Sequence, residues 1–142
     1  MKIKLIIGAV WLVIGYSFFN TSVKTLEPVK QDKFKESIKR GKSIYKMFCT
    51  SCHLPNGQGI KKIYPPLDNA DYLINKQKES VKAVKYGLSG KIVVNGITYN
   101  NAMAPMGLSD QEVADVMNYI NTAWSNTIEK RYTKTEVSKI SK

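Results

Sequence analysis

Histidine occurs once in these 142 residues, at His53, and cysteine only twice, at Cys49 and Cys52. A structural zinc site wants about four Cys, His or carboxylate ligands, commonly as two C-x-x-C pairs, and here the second pair is missing. A disulfide between Cys49 and Cys52 would close a very short loop, with little entropy to remove from the unfolded chain. Acidic residues are also scarce, 11 Asp and Glu against 22 Lys and Arg, which leaves a formal net charge of +11. No internal repeat or low-complexity block suggests a second domain. What remains is a small basic chain whose chemistry is concentrated in one short segment.

That segment is Cys49-Thr50-Ser51-Cys52-His53. The pattern C-x-x-C-H is an attachment signature for c-type haem. Positions i and i+3 of a helix share one face, so both thiols can form thioethers with the vinyl groups of one haem. The adjoining His53 then becomes the proximal iron ligand. The competing reading, a redox-active dithiol, expects a preceding strand within a βαβ pattern, and the residues before Cys49 carry a helical period instead. With one such motif and one histidine, one covalent haem is the ceiling, and a second axial histidine cannot come from this chain.

The N-terminus, Met1-Lys2-Ile3-Lys4, leads into an apolar run from Leu5 to Phe19, the pattern of a positively charged n-region and a hydrophobic segment. As a helix, residues 3–20 would span about 27 Å, enough to anchor in a bilayer with Lys2 and Lys4 on the cytoplasmic side. Cleavage at Gly15-Tyr16-Ser17 is the alternative, which would release a soluble periplasmic protein. Both expectations export the domain to the periplasmic side of a bacterial inner membrane. We therefore expect a signal or anchor segment over residues 1–19, a linker over 20–30 that carries Pro28, one domain over 31–126, and a basic, mobile tail over 127–142. A domain of roughly 95 residues has a marginal side-chain core, and a buried haem would supply the missing apolar volume.

Within the domain, Phe34, Ile38, Gly41, Tyr45 and Phe48 recur at spacings of three and four, which predicts an amphipathic helix leading into the C-x-x-C-H motif. Glycine costs a helix about 1 kcal/mol, so Gly41 implies close approach by another element. The partner is a helix opened by the capping box Ser109-Asp110-Gln111-Glu112, with Val113, Val116, Met117, Ile120 and Trp124 as its apolar stripe. Between them, Glu79 to Tyr86 reads as a short helix ending at Gly87, and Ile92 to Tyr99 as a hairpin turning at Asn95-Gly96.

These features together resemble the class I monohaem c-type cytochromes over residues 31–126. The motifs are Gly41-x-x-x-Tyr45-x-x-x-Cys49, the C-x-x-C-H, Pro55-Asn56-Gly57-Gln58-Gly59, Tyr64-Pro65-Pro66-Leu67, Tyr99-Asn100-Asn101-x-Met103 and Leu108-Ser109-Asp110-x-Glu112. The resemblance implies an all-α fold, a small helical domain around one haem, with a short β-hairpin and, here, an N-terminal hydrophobic helix. It implies that the Pro65 carbonyl, two residues before Leu67, accepts a hydrogen bond from the Nδ1–H of His53. It implies a distal methionine, which raises the reduction potential and closes the centre for outer-sphere electron transfer. Met103 is the expected ligand and Met106 the alternative, because Met103-Ala104-Pro105-Met106 departs from the usual Met-Pro followed soon by an aromatic. Met47 and Met117 read as packing residues. Gly57 and Gly59 are expected to let the chain turn and approach the macrocycle.

The function so implied is electron transfer, the iron cycling between Fe(II) and Fe(III), with no substrate chemistry. An alternative is a haem subunit of a larger oxidoreductase, such as a quinoprotein dehydrogenase, nitrite reductase or haem-copper oxidase; a five-coordinate haem gas sensor is another. Setting aside Lys2 and Lys4 leaves a net charge of +9, which suits a redox partner with an acidic docking face or an anionic lipid surface. Export and the haem motif set nucleic acid aside.

Overall fold

A computed structural model describes residues 27–142. The expected signal or anchor segment and most of the linker lie outside the described residues. Among the described residues no helix is long and apolar enough to cross a membrane. The elements run α1 (Glu27–Phe48), α2 (Thr50–His53), α3 (Asp71–Asn75), α4 (Gln77–Tyr86), β1 (Ile92–Val94), β2 (Ile97–Tyr99), α5 (Asp110–Thr122) and α6 (Lys134–Ser138).

Helix α1 starts at Glu27, inside the stretch expected to be linker. Pro28 lies in the first turn, where its missing N–H costs no intrahelical bond. The buried side of α1 is Ser37, Gly41, Ile44 and Tyr45, with Phe34 and Ile38 half-buried. Phe48 departs from the expected stripe and is 41% exposed, because the chain leaves the helix there and Cys49 takes the inward position.

Gly41 marks the crossing with α5. A Cβ there would overlap the Asp115 carbonyl and lie 2.8 Å from Cβ of Tyr119, so only glycine lets the two backbones meet. At the same crossing, Asp115 is almost wholly buried. It accepts from Ser37 at 2.6 Å, from Arg40 at 2.6 and 2.9 Å, and from Gln111 at 2.9 Å. On the other side, Tyr45, Tyr119 and Trp124 stack edge-on or tilted with centroids 5.2–5.8 Å apart. The capping box of α5 forms as the sequence predicts, with the Glu112 N–H donating to the Ser109 hydroxyl.

The hairpin pairs Ile92 with Tyr99 and Val94 with Ile97. Asn95 and Gly96 both have positive φ, which the tight turn between right-twisted strands demands. Reciprocal bonds between Asn95 and Asp71, 2.7 and 2.9 Å, dock the turn on the start of α3.

The tail expected to be mobile packs instead. Tyr132, Val137 and Ile140 are buried in the common core, and Ile128 packs against it. Its backbone is held by α5: Asn118 accepts from the Tyr132 N–H at 2.7 Å and donates to the Tyr132 carbonyl at 2.8 Å. Asn121 donates to the Lys130 carbonyl at 2.9 Å. These buried amides stand in for a neighbouring strand, and α5 is covered on a third side.

Candidate functional site

The turn from α1 into α2 builds the site. Cys49 is the N-cap of α2, and its carbonyl accepts from the N–H groups of Cys52 and His53 at 3.2 and 2.9 Å. One turn of helix thus carries Cys49, Cys52 and His53, and Cys49 and His53 line the cleft beside it. Immediately afterwards Leu54 adopts φ 62° and reverses the chain. That reversal is held by the Tyr45 hydroxyl, which donates to the Leu54 carbonyl at 2.7 Å.

The returning loop supplies the partner of the histidine. His53 Nδ1 lies 2.9 Å from the Pro65 carbonyl oxygen. A carbonyl only accepts, so Nδ1 carries the proton and Nε2 keeps its lone pair for a metal. Burial pushes the His53 pKa down, against the opposing pull of the Pro65 carbonyl, so the ring is neutral at neutral pH. Gly59 makes the approach possible, since a Cβ there would overlap the carbonyls of Tyr64 and Pro65. Gly57 lies against the Trp124 ring. Both glycines therefore accommodate the chain's own backbone and Trp124.

A concave, mostly apolar cleft opens beside these residues, as cofactor sites generally are. Cys49, His53, Pro65, Leu67 and Met103 line it, and Met117 faces it from α5. The rest of the wall is mostly aliphatic and comes from α3, α4, the hairpin, Ile120 of α5 and the loops between them, with Tyr72 and Ser80 the exceptions. Cys52 is half-buried and outside the lining, and so is Met106. Met103 is fixed by its backbone, which pairs with Leu88 through two hydrogen bonds of 2.8 Å. Leu88 was not singled out from the sequence; a lone bridge between two loops leaves no periodic signal.

The chemistry of the donor set fits a haem and not its competitors. Burial, and then the neighbouring Cys52, push the Cys49 thiol up to about 11. Dithiol oxidoreductases need the opposite, a lowered pKa and a reactive thiolate. Among the described residues no cluster of three or more His, Cys, Asp or Glu could hold a bare metal ion. An aliphatic cleft with one neutral, oriented imidazole and one thioether on its wall suits a flat apolar macrocycle bearing iron.

Comparison with known proteins agrees. Residues 38–124 match the family model described as Cytochrome c. The chain is 38% identical over 109 residues to cytochrome c-552 of Thermus thermophilus, covering 70% of this chain and 82% of that protein. It is also 29% identical over 104 residues to the cytochrome c subunit of the quinone alcohol dehydrogenase of Gluconobacter oxydans, where the match covers 21% of that longer protein. The chain belongs to the cytochrome c family and is an electron-transfer protein that carries one covalently attached haem c and is not itself an enzyme.

Proposed function

We propose that Cys49 and Cys52 form the two thioethers, that His53 is the proximal ligand and that Met103 is the distal ligand. The observation that carries this reading is the cleft that His53 and Met103 both line, with the His53 ring oriented by Pro65. Leu67 and Pro65 form part of the wall. Bound there, the haem supplies one-electron chemistry between Fe(II) and Fe(III). The protein's part is to hold the imidazole neutral and oriented, to shield the site with aliphatic side chains, and to keep a thioether in place without reorganisation.

Two experiments test the assignment. Haem should remain with the polypeptide after acid-organic extraction, and the double variant Cys49→Ala/Cys52→Ala should release it. Met103→Ala should erase the sulfur-to-iron charge-transfer band of the ferric protein, whereas Met106→Ala and Met117→Leu should retain it. Loss of the band in either of the latter would move the ligand.

The domain works on the periplasmic side of the membrane, held there by the apolar segment over residues 3–20, and exchanges electrons with an acidic partner. The apolar run behind Lys2 and Lys4 supports the first part, and the net charge of +9 left when those two lysines are set aside supports the second. Retention in the membrane fraction after alkaline washing tests the anchor. A second reading, a subunit of a larger dehydrogenase, is favoured by the similarity to the cytochrome c subunit of the Gluconobacter enzyme. Purification of a stable complex under mild detergent conditions would establish it.

A further inference from the structure

The loop that carries Met103 is fastened at both ends to one short stretch, residues 85–88. At its start, the Met103 backbone pairs with Leu88. At its end, Asp110, the first residue of α5, accepts an ion pair from Lys85 Nζ at 2.8 Å. Between these points Gly87 lies so close beneath the loop that a Cβ would sit 2.7 Å from the Met103 carbonyl oxygen and 3.0 Å from Pro105. The Met loop has no regular structure of its own, so its position follows that of this stretch.

The stretch is itself held from behind by the end of the chain. Lys85 Nζ donates to the carbonyls of Val137 and Ile140 at 3.0 and 3.3 Å, in addition to Asp110. An ammonium has three protons, and all three have an acceptor here. The Tyr86 hydroxyl donates to the same Ile140 carbonyl at 2.8 Å. Val137 and Ile140 are buried, so their carbonyls are fixed points. Two consecutive side chains at the end of α4 thus convert the packing of α6 into a position for the Met loop.

We propose that Lys85 and Tyr86 are positioning residues for the sixth iron ligand, through which the C-terminal turn at Val137 to Ile140 sets how firmly Met103 is held toward the haem. This rests on Met103 as the distal ligand. Loosening the clasp raises the fraction of time that the thioether stands away and an outside ligand can enter.

The test uses the full chain with haem attached. Tyr86→Phe removes one hydrogen bond with almost no change of shape, Lys85→Met removes three contacts at similar length, and Lys85→Arg keeps the charge and the donors. Two quantities are read: the rate at which imidazole binds the ferric protein, and hydrogen exchange at the Met103 amide. Tyr86→Phe should raise both by about threefold to tenfold, the value of one hydrogen bond. Lys85→Met should raise them further, and Lys85→Arg should restore most of the loss. If these variants lower the urea midpoint yet leave imidazole binding and the Met103 amide at wild-type rates, the clasp is purely structural and the proposal falls. Should Lys85→Met not fold, Tyr86→Phe decides alone. The ligand assignment fails separately, if Met103→Ala keeps the sulfur-to-iron band. In that case the Met103 amide still reports whether the clasp holds the loop, and the proposal is then overturned only as to the iron.

Discussion

Val137 offers the most direct measure of what the C-terminal segment does. It is wholly buried, on a five-residue helix opened by the capping box of Thr133 and Glu136. Val137→Ala removes two methyl groups, and at about 0.8 kcal/mol each the transfer cost is about 1.6 kcal/mol. The surrounding core relaxes only in part, and the cavity left behind raises the loss to about 2 kcal/mol. For a domain of this size each kcal/mol lowers the melting temperature by about 4 °C, so a fall of about 8 °C is expected. Thermal unfolding of the haem-loaded protein, followed by far-UV circular dichroism, measures it. The exposed Thr135 on the same helix is the control, and Thr135→Ala should stay within about 0.5 kcal/mol of the parent. A Val137→Ala midpoint equal to that of the parent would mean that the segment is not part of the cooperative core and would refute the packing argument.

Gly41→Ala sets helix propensity against sterics: the substitution gains about 1 kcal/mol in propensity, but the new methyl overlaps a backbone carbonyl that cannot rotate away. The net effect should be a loss of about 1–3 kcal/mol in urea denaturation, and a gain in stability would disprove the close crossing. Glu136 is held below the usual carboxylate range, first by Lys130 and then by Thr133. Because its folded pKa is depressed, its stabilisation is complete above the ordinary glutamate range and is lost as pH falls through the folded value. Glu136→Gln should therefore flatten the acid limb of the stability profile, and an unchanged limb would count against the capping geometry. Electron transfer to an acidic partner should slow as the Debye length contracts from about 30 Å at 0.01 M salt to about 10 Å at 0.1 M. The decline should be shallower when the exposed Lys61 and Lys62 are changed to Gln, and a rate indifferent to salt would remove electrostatic steering.

The elements that could be read from the sequence are those with a local signature. Gly41 inside an apolar period pointed to a crossing, the Ser109–Glu112 box to the start of α5, and Asn95-Gly96 to the hairpin. The expected bond between His53 and the Pro65 carbonyl is present at 2.9 Å. The packing of the C-terminal segment leaves no local signature, because its apolar residues, Ile128, Tyr132, Val137 and Ile140, follow no single helical or strand period. What secures it is polar and distant in sequence: Asn118 and Asn121 on the buried side of α5, and Lys85 and Tyr86 at the end of α4. An asparagine on a helix normally signals exposure, and only the backbone it meets reverses that reading. Phe48 followed the period of α1 but not its burial, since periodicity carries no information about where a helix stops.

The crossing of α1 and α5 ties Ser37 to Asp115, positions 78 apart in sequence. That contact draws a closed ring in the polypeptide. Every residue that lines the cleft lies within the ring except Met117 and Ile120. Closing so long a loop carries an entropic cost, and in the closed ring Cys49 is only 8% exposed. The cleft is thus walled almost wholly by the chain that this one contact closes, so a change at Ser37 or Asp115, neither of which lines the cleft, acts on its whole wall at once.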